Sequence, residues 1–391
     1  MIIEAAGAAS LAAWLYLLVG RGGFWRMHRG AGFSLRRASA FPSGAGPLAC
    51  QPPPLVAVIP ARNESPVVRA ALASLCSQHY PGRFHIVLVD DASDDGTADT
   101  ARAAAPAEML TVLRGAPLPD GWTGKLWAVS QGIAQAESLS PDYFLLTDAD
   151  IVHAPGGLEK LVAQAEQGGY DLVSWMVALH CESPAERALI PAFVFFFLLL
   201  YPPSWISNPR PRTAGAAGGC MLIRRRTLEL IGGITGIRGE LIDDCALARA
   251  VKDAGGRVWL GLSGETRSIR EYRSFREIGA MISRTAFTQL RHSPLLLLAT
   301  LGGLALTFFA PPLAAIRGNP AGFAAWALMA LIYAPALRLY RRSLLWAPLL
   351  PLVAAFFAGA TIHSAWSWWR GAGGMWKGRV APAVLPPAKP R

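Results

Sequence analysis

The residues best suited to chemistry are Asp148 and Asp150, which follow the apolar run at residues 143–147. In an extended segment, side chains at positions i and i+2 lie on the same side, so the two carboxylates could bind one hard cation, either Mg²⁺ or Mn²⁺. A single Asp-x-Asp is more often a polar turn after a buried strand. The choice between a turn and a metal site therefore depends on the surrounding segments.

Two other apolar runs also end in polar residues. Residues 55–59 stop at Pro60, residues 85–89 stop at Asp90, and a helix start follows each run. Strands that alternate with helices predict an α/β fold with a parallel sheet and right-handed crossovers. Because ligands bind beyond the carboxyl ends of such strands, one sheet edge should collect Arg62, Asn63, Glu64, Asp90, Asp91, Asp148 and Asp150.

These acidic loops would repel one another unless a cation or hydrogen-bond donors offset their charge. A metal-bound nucleoside diphosphate is a suitable occupant. Between the second and third loops, a glycine-rich loop carries Lys125 at a predicted helix start. Backbone amides and an ammonium group at such a position can bind phosphate. The alternative is a tight turn with a solvated lysine and a locally packed Trp122, but the position of Lys125 favours phosphate or donor contact.

Three segments resemble, in order and spacing, the nucleotide-sugar-binding half of family 2 glycosyltransferases, which have the GT-A fold. They are VIPARNE at residues 58–64, VDDASDDGT at 89–97 and TDAD at 147–150. The resemblance implies a Rossmann-like domain in which Asp148 and Asp150 meet the metal and the ribose diphosphate. It also implies a donor site that holds uridine through Pro60, Glu64 and Asp91, with support from Asp90, and that includes Arg62, Lys125 and Asp148.

The glycine loop at residues 119–128 extends the resemblance to the hopanoid-associated subgroup of this family. Members of that subgroup carry a membrane anchor at each end of the chain. The resemblance therefore implies a lipid acceptor and, within that class, a hopanoid.

The second half of the domain should bind the acceptor and supply the base. Residues 215–225 are a glycine-rich approach to a strand, in which Gly219 could let substrate come close. Asp243 and Asp244 precede an apolar helical face, where carboxylates often meet only the helix dipole and free amides. The stretch resembles the family's Glu-Asp motif, with Asp243 in place of the usual Glu. By that resemblance Asp244 is the catalytic base of an inverting transfer, and Glu240 is a less favoured competitor.

Residues 274–291 are predicted to form one interfacial helix with Phe275, Ile278, Ile282 and Ala286 on its apolar face. Processive polysaccharide synthases carry Gln-x-x-Arg-Trp in this region, and residues 288–292 lack the Gln and the Trp at their places. This departure favours single transfer to a lipid. Arg291 could contact the diphosphate or, equally well, a lipid headgroup.

The composition predicts a membrane protein with a polar domain. Of the 391 residues, 52% are hydrophobic, and the mean hydropathy is +0.32. Apolar runs of spanning length occupy residues 2–19, 294–316, 321–339 and 344–369. Residues 190–203 are too short to span and should lie against the bilayer, line an acceptor groove or form a core helix. The arginines after the first run place the following domain in the cytoplasm; they are Arg21, Arg26, Arg29, Arg36 and Arg37.

The net charge of +11 does not indicate nucleic acid, because the basic residues gather beside apolar runs, where anionic lipids are the simpler partner. The spacing of the five cysteines matches neither a metal site nor a disulfide framework, which is the expectation for reduced thiols. His153, just past Asp150, could ligate a metal, but a loop histidine is more often hydrogen-bonded or solvated. The cysteines are Cys50, Cys76, Cys181, Cys220 and Cys245.

These observations divide the chain into an anchor at residues 1–20, a basic linker at 21–53, a GT-A domain with interfacial helices at 54–292, and a membrane domain with a basic tail at 293–391. The expected protein is a multi-pass protein of a bacterial-type inner membrane with a cytoplasmic catalytic domain. It would move a sugar from a nucleotide sugar, with UDP favoured, to a membrane lipid. Two alternatives stay open: a processive polysaccharide synthase, and a non-catalytic membrane scaffold that keeps the fold.

Overall fold

The structure, a computed structural model, describes residues 2–27, 52–210, 212–376 and 379–380. Most of the predicted basic linker lies outside these residues, including Arg29, Arg36, Arg37 and Cys50, and so does Lys377. The strands are β1 Leu55–Ala61, β2 Phe84–Asp90, β3 Leu110–Arg114, β4 Tyr143–Thr147, β5 Ile151–Val152, β6 Leu172–Ala178, β7 Cys220–Arg224, β8 Val258–Ser268, β9 Met375–Trp376 and β10 Arg379–Val380.

Most of the remaining described residues are helical. A π-helical turn at Ala305–Phe309 joins two of the α-helices, and 3₁₀ turns occupy Ile234–Ile237 and Leu344–Leu349. The α-helices are α1 Ile2–Val19, α2 Ser65–Cys76, α3 Thr97–Arg102, α4 Gly124–Glu137, α5 Gly157–Gly168, α6 Pro184–Leu200, α7 Pro203–Ser207, α8 Arg225–Leu230, α9 Asp243–Asp253, α10 Phe275–Ser283, α11 Ala286–Gln289, α12 Pro294–Leu304, α13 Ala310–Ile316, α14 Pro320–Leu339 and α15 Leu350–Trp369.

The described residues group into two units. The sheet unit contains residues 52–178 and 214–270, together with the short antiparallel pair β9–β10. The helical unit contains residues 2–27, 179–210, 212–213 and 271–374. The division of the chain at residues 20, 53 and 292 stays a prediction.

The main sheet of the sheet unit has the strand order β3-β2-β1-β4-β7-β6-β8-β5. Its first four strands are parallel, as the sequence predicts. The prediction of a parallel sheet is wrong for the other half, because β7 is antiparallel to both β4 and β6, and β5 is antiparallel to β8. Since β7 runs opposite to β4, Thr147 pairs with Cys220, and the glycines before β7 lie beside the end of β4.

Burial explains why the apolar runs become central strands. Every residue of β1 and β4 is buried, which is the pattern of strands covered on both faces. Helix α4 packs closely on this sheet at Gly132, where an added Cβ would lie 2.5 Å from Val58 Cγ1. Helix α2 buries Val68, Ala71 and Leu75, and its N-cap is Glu64. The strand ends that carry the acidic loops are therefore held by a rigid core.

The helical unit contains four helical segments that are long and apolar enough to cross a membrane, by length and composition alone. Three of them match the predicted C-terminal runs: Pro294–Ile316, Pro320–Leu339 and Leu344–Trp369. The fourth, Pro184–Ser207, corrects the view that residues 190–203 are too short, because the helix begins six residues earlier than the apolar run. The predicted N-terminal anchor forms a shorter apolar helix, Ile3–Val19. Large exposed side chains such as Leu295 and Leu352 are compatible with lipid contact.

A π-helical turn fixes α1 within the helical unit. Trp14 of α1 is fully buried, and its indole N–H donates a hydrogen bond of 2.6 Å to the carbonyl of Thr307. The ring also meets Phe308 edge to face, with centroids 5.5 Å apart. A π turn leaves carbonyl groups outside the regular α-helical ladder, and Trp14 binds one of them.

The predicted interfacial helix at residues 274–291 is two helices. Helix α10 ends at Ser283 and α11 begins at Ala286. Ile278 and Ile282 are buried as predicted, but Phe275 is exposed, and Phe287 is buried where Ala286 was expected. The Phe287 amide donates to Ser364 Oγ at 3.0 Å, which anchors the second helix.

Candidate active site

Lys125 lies at the centre of the first cluster of charged residues in the sheet unit. Its Nζ is 3.0 Å from Asp148 Oδ1 and 3.1 Å from Asp243 Oδ2. Lys125 stands in the first turn of α4, where the helix dipole alone would disfavour a cation. Burial acts to lower its pKa, but Asp148 and Asp243 outweigh burial and raise the pKa above the ordinary value. We call Lys125, Asp148, Asp243 and Asp244 the lysine cluster.

Asp244 is the member of this cluster that is held by backbone amides. Its Oδ2 accepts from the Gly218 N–H at 2.8 Å and its Oδ1 from the Cys245 N–H at 2.7 Å. Burial and the nearby Asp243 raise the pKa of Asp244 to about 6, against the lowering effects of Lys125 and the two amides. A Cβ added at Gly218 would lie 3.2 Å from Asp244 Oδ2, so the close approach requires glycine. Asp244 is thus a carboxylate whose proton exchanges near neutral pH.

A second cluster surrounds Arg270, which lies two residues after the end of β8. Arg270 Nη2 donates to both carboxylate oxygens of Glu64 at 2.7 Å, and its Nε lies 3.5 Å from Asp150 Oδ2. Ser268 Oγ donates to the same Asp150 oxygen at 2.6 Å. Glu64 and Asp150 are both buried. We call Arg270, Ser268, Glu64 and Asp150 the arginine cluster.

The loops after β1 and β2 are joined by hydrogen bonds. Arg62 Nη1 donates to the backbone carbonyl of Asp91 and lies 3.6 Å from its Oδ2. The Glu64 amide donates to Thr97 Oγ1 at 2.8 Å. Asp90 is buried, and its Oδ1 has no partner among the described residues. A buried acceptor without a partner is costly, so Asp90 retains the capacity to bind a ligand or water.

His153 does not face the acidic pair as a ligand. Its Nε2 lies 3.0 Å from Thr147 Oγ1, and Thr147 Oγ1 donates to the Gly219 carbonyl at 2.8 Å. Burial lowers the pKa of His153 to about 4, so the ring is neutral at physiological pH. The histidine therefore supports the end of β4, and the carbonyl of Gly219 takes part in the same contact.

The structure brings most of the predicted site residues together and leaves others apart. One pocket of the sheet unit is lined by Pro60, Lys125, Asp148, Gly218 and Asp243, among others. Trp122 packs against Trp127 at a centroid distance of 5.1 Å, in agreement with the local-packing alternative. Glu240 is exposed three residues before α9, and Arg291 belongs to the helical unit.

The acidic pair can hold a metal only with help from a ligand. Asp148 and Asp150 supply two carboxylates, and no group of three His, Cys, Asp or Glu side chains suited to a metal ion occurs among the described residues. Asp148 meets Lys125 through Oδ1, and Asp150 meets Ser268 and Arg270 through Oδ2. Mg²⁺ commonly uses one or two carboxylates and completes its shell with substrate phosphates and water. The residues fit a metal that arrives with a diphosphate.

Sequence reasoning missed Arg270 and Ser268. Both lie more than a hundred residues from the acids that they contact, and β8 was not recognised as a strand of the sheet. A usable signal was the apolar run at residues 258–262, which a polar stretch follows up to Ser268-Ile269-Arg270. Such a pattern predicts a strand end with polar residues at the ligand edge.

Comparisons with known proteins identify the domain. Residues 56–232 match Glycosyl transferase family 2. An undecaprenyl-phosphate 4-deoxy-4-formamido-L-arabinose transferase from Pseudomonas fluorescens is 36% identical over 178 residues, which are 44% of this chain and 47% of that protein. An N-acetylglucosaminyltransferase from Rhizobium leguminosarum bv. viciae is 34% identical over 135 residues, or 33% of this chain and 30% of that protein. The chain thus spans about half or less of the length of these relatives.

A solved structure shows the same fold. A mannosyltransferase from Pyrobaculum calidifontis, in complex with GDP-Man and Mn²⁺, superposes with a TM-score of 0.52 at 19% identity, covering 93% of this chain and 99% of that one. The α/β fold with its mixed sheet is therefore GT-A-like, which confirms the predicted class. Residues 56–232 are a family 2 glycosyltransferase domain.

Proposed function

We propose that this chain, which contains a family 2 glycosyltransferase domain, transfers a sugar from a nucleotide diphosphate sugar to a hydroxyl group of a membrane lipid, with inversion at the anomeric carbon. The observation that carries the proposal is the position of Asp244, held by two amides beside the Lys125–Asp148 pair. One cluster thus holds a carboxylate suited to proton transfer and a cation suited to a phosphate.

The donor would lie against the joined loops after β1 and β2. Glu64, Asp90 and Asp91 supply acceptors for a base and a ribose, while Arg62 fixes the loop that carries Asp91. Uridine is the base that the motif resemblance favours, and guanine is the alternative supported by the mannosyltransferase solved with GDP-Man. Asp148 and Asp150 would hold a Mg²⁺ or Mn²⁺ ion, which supplies charge stabilisation to the departing diphosphate.

The chain's own residues supply the remaining chemistry. Asp244 takes the proton of the acceptor hydroxyl while that oxygen forms a bond to the anomeric carbon on the face opposite the leaving group. The bond between the anomeric carbon and the diphosphate oxygen breaks, and the diphosphate leaves with both electrons. Lys125, charged and partly buried, offsets the negative charge that develops there. Asp244 then releases its proton to solvent.

The lipid hydroxyl is preferred to a lipid phosphate on physical grounds. A phosphate nucleophile is already ionised and needs no base, and three carboxylates against one lysine would repel it. The relatives named for undecaprenyl phosphate make a lipid phosphate the second candidate acceptor. A polyhydroxylated hopanoid is the hydroxyl lipid that the motif resemblance suggests.

A two-acceptor assay separates these candidates. Purified full-length protein in lipid nanodiscs is supplied with Mn²⁺, UDP- or GDP-sugars, and either a polyhydroxylated hopanoid or undecaprenyl phosphate, and products are identified by mass spectrometry. We expect one sugar on the hydroxyl lipid and loss of that product in Asp244→Asn. Sugar on undecaprenyl phosphate alone, with Asp244→Asn fully active, would reject the hydroxyl acceptor.

The two remaining alternatives are distinguished by product length and by donor binding. A processive synthase would yield chains of many sugars, whereas single transfer yields one added residue. A non-catalytic scaffold would give no binding heat with any nucleotide sugar and Mn²⁺ in isothermal titration. A separate labelling experiment in intact cells tests the proposed location in a bacterial-type inner membrane with a cytoplasmic sheet unit. A cysteine reagent that does not cross the membrane should reach the domain only after permeabilisation.

A further inference from the structure

Arg270 connects two acidic loops that are distant in the sequence. Its guanidinium binds both oxygens of Glu64, in the loop after β1, and approaches Asp150, in the loop after β4. Glu64 is 7% exposed, and Asp150 is also 7% exposed, so water screens these contacts poorly. One side chain therefore interacts electrostatically with a carboxylate of each loop.

The backbone around Arg270 holds it against Asp150. Ser268 pairs with Ile151 in the β5–β8 ladder, and the Ile269 amide donates to the Asp150 carbonyl at 2.9 Å. The Arg270 amide donates to Ser268 Oγ at 3.2 Å, while that hydroxyl donates to Asp150 Oδ2. Residues 268–270 thus pack against Asp150, and the backbone of Arg270 is tied to the end of β8.

This guanidinium would repel a cation bound at Asp150. Arginine stays protonated at any pH at which proteins fold, and its Nε lies 3.5 Å from Asp150 Oδ2. A divalent ion bound to Asp150 would therefore meet a fixed like charge within a few ångströms, in a poorly screened position. A nucleoside diphosphate changes the balance, because its negative charge attracts both the ion and the guanidinium.

We propose that Arg270 is a positioning residue that makes metal binding depend on the nucleotide. While the donor is absent, its guanidinium pairs with Asp150 and opposes the binding of a cation there. When a metal and a diphosphate arrive together, the negative charge of the diphosphate offsets that repulsion and the metal binds Asp150. The inference rests on the proposed function for its biological meaning. Its physical content, competition between Arg270 and a divalent cation at Asp150, concerns the nucleotide-free protein alone.

The test is a titration of nucleotide-free, full-length protein with Mn²⁺, in which electron paramagnetic resonance measures the free ion. We expect Arg270→Gln to bind Mn²⁺ more tightly than wild type by on the order of tenfold, since removal of one nearby charge has that scale. The matched controls are Arg62→Gln, which removes a cation from the neighbouring loop, and Arg267→Gln, which removes an exposed cation from the same strand. Both should stay within about threefold of wild type.

A double variant guards against misfolding and against a simple effect of net charge. Arg270→Gln alone leaves the buried Glu64 without its partner, which can unfold a protein. Glu64→Gln/Arg270→Gln removes the pair as a unit and conserves net charge, so a net-charge effect predicts no change in Mn²⁺ affinity. The proposal predicts that the gain persists and disappears when Asp150→Asn is added.

Two results would overturn the proposal. One is unchanged Mn²⁺ affinity in both the single and the double variant when circular dichroism shows them folded. The other is an equal gain in Arg62→Gln. A protein that transfers no sugar but gains Mn²⁺ affinity in these variants would reject the proposed function while leaving the role of Arg270 intact. The addition of UDP or GDP should raise Mn²⁺ affinity more in wild type than in Arg270→Gln.

Discussion

The lysine cluster and the arginine cluster contain the same kinds of groups but satisfy their carboxylates differently. In the arginine cluster, one guanidinium and one hydroxyl bind two acids, so that both oxygens of Glu64 are engaged. In the lysine cluster, one ammonium is shared by Asp148 and Asp243, and Asp244 relies on two amides. The lysine cluster, with three carboxylates to one cation, therefore has the larger excess of negative charge, and burial together with Asp243 raises the pKa of Asp244.

This difference suggests that the two clusters have different roles in the reaction. A cluster with excess carboxylate can exchange a proton near neutral pH, whereas a cluster whose acids are bound by fixed donors can orient a ligand. We therefore assign proton transfer to the lysine cluster and control of metal and donor binding to the arginine cluster.

The largest effect should come from Asp244→Asn, which removes the proposed base and keeps its shape. We expect kcat for transfer to the hydroxyl lipid to fall about 10³-fold, within the range typical of general base catalysis. Mn²⁺ and nucleotide affinities should change little, because the arginine cluster is intact. Turnover equal to wild type, measured by mass spectrometry of the lipid product, would remove Asp244 from the mechanism.

Lys125→Ala should reduce kcat by about 10²-fold, since it removes the one cation that faces the leaving group from this cluster. The loss leaves Asp148 and Asp243 unpaired, so thermal unfolding must be measured alongside turnover. Lys125→Arg, which retains the charge, should recover part of the activity. If both variants lose activity equally while remaining folded, the charge of Lys125 is not what the reaction uses.

Asp243→Asn should shift the pH dependence more than the maximal rate. Burial and the charge of Asp243 together raise the pKa of Asp244 to about 6, so neutralisation of Asp243 should move that pKa downward. Because the base must be ionised, activity in wild type is lost as pH falls through about 6, and this limb should move to lower pH in the variant. A profile of kcat/KM against pH measures the shift, and Asp253→Asn, at the exposed end of α9, should leave the profile unchanged.

The smallest effect should come from Ser268→Ala, which removes a neutral donor from Asp150 and leaves Arg270 in place. Mn²⁺ affinity of the nucleotide-free protein should rise by about threefold, near the lower end of the net contribution of one hydrogen bond. A gain larger than that of Arg270→Gln would mean that the hydroxyl, and not the guanidinium, controls access of a cation to Asp150.

The sequence predicted that the acidic loops meet at one edge of the sheet, because that placement depends on local order. Each acidic loop directly follows a buried apolar strand, and the parallel ladder of β3, β2, β1 and β4 places these loops at one edge without further information. Lys125 was also found at a helix start, as expected. Its contacts with Asp148 and Asp243 were not anticipated, because sequence reasoning assigned it to phosphate or donor contact.

The rest of the site depends on pairings between distant segments. The antiparallel direction of β7 sets Gly218 against Asp244, and no local pattern indicates that direction. Arg270 and Glu64 are separated by 206 residues. The break between α10 and α11 has a similar origin, since Ser364 binds the Phe287 amide from far along the chain. Tertiary contacts of this kind override the helical periodicity of residues 274–291.

The hydroxyl of Thr147 has a single proton, which it donates to the Gly219 carbonyl, so the hydrogen bond with His153 must be donated by the ring. This fixes the Nε2–H tautomer and leaves Nδ1 bare in a buried position without a partner among the described residues. The two ring nitrogens should therefore give widely separated ¹⁵N resonances that stay constant over the pH range in which Asp244 titrates. The ring can therefore report on metal binding: a cation bound at the end of β4 should change the ¹⁵N chemical shifts of His153 although the ring does not touch the ion.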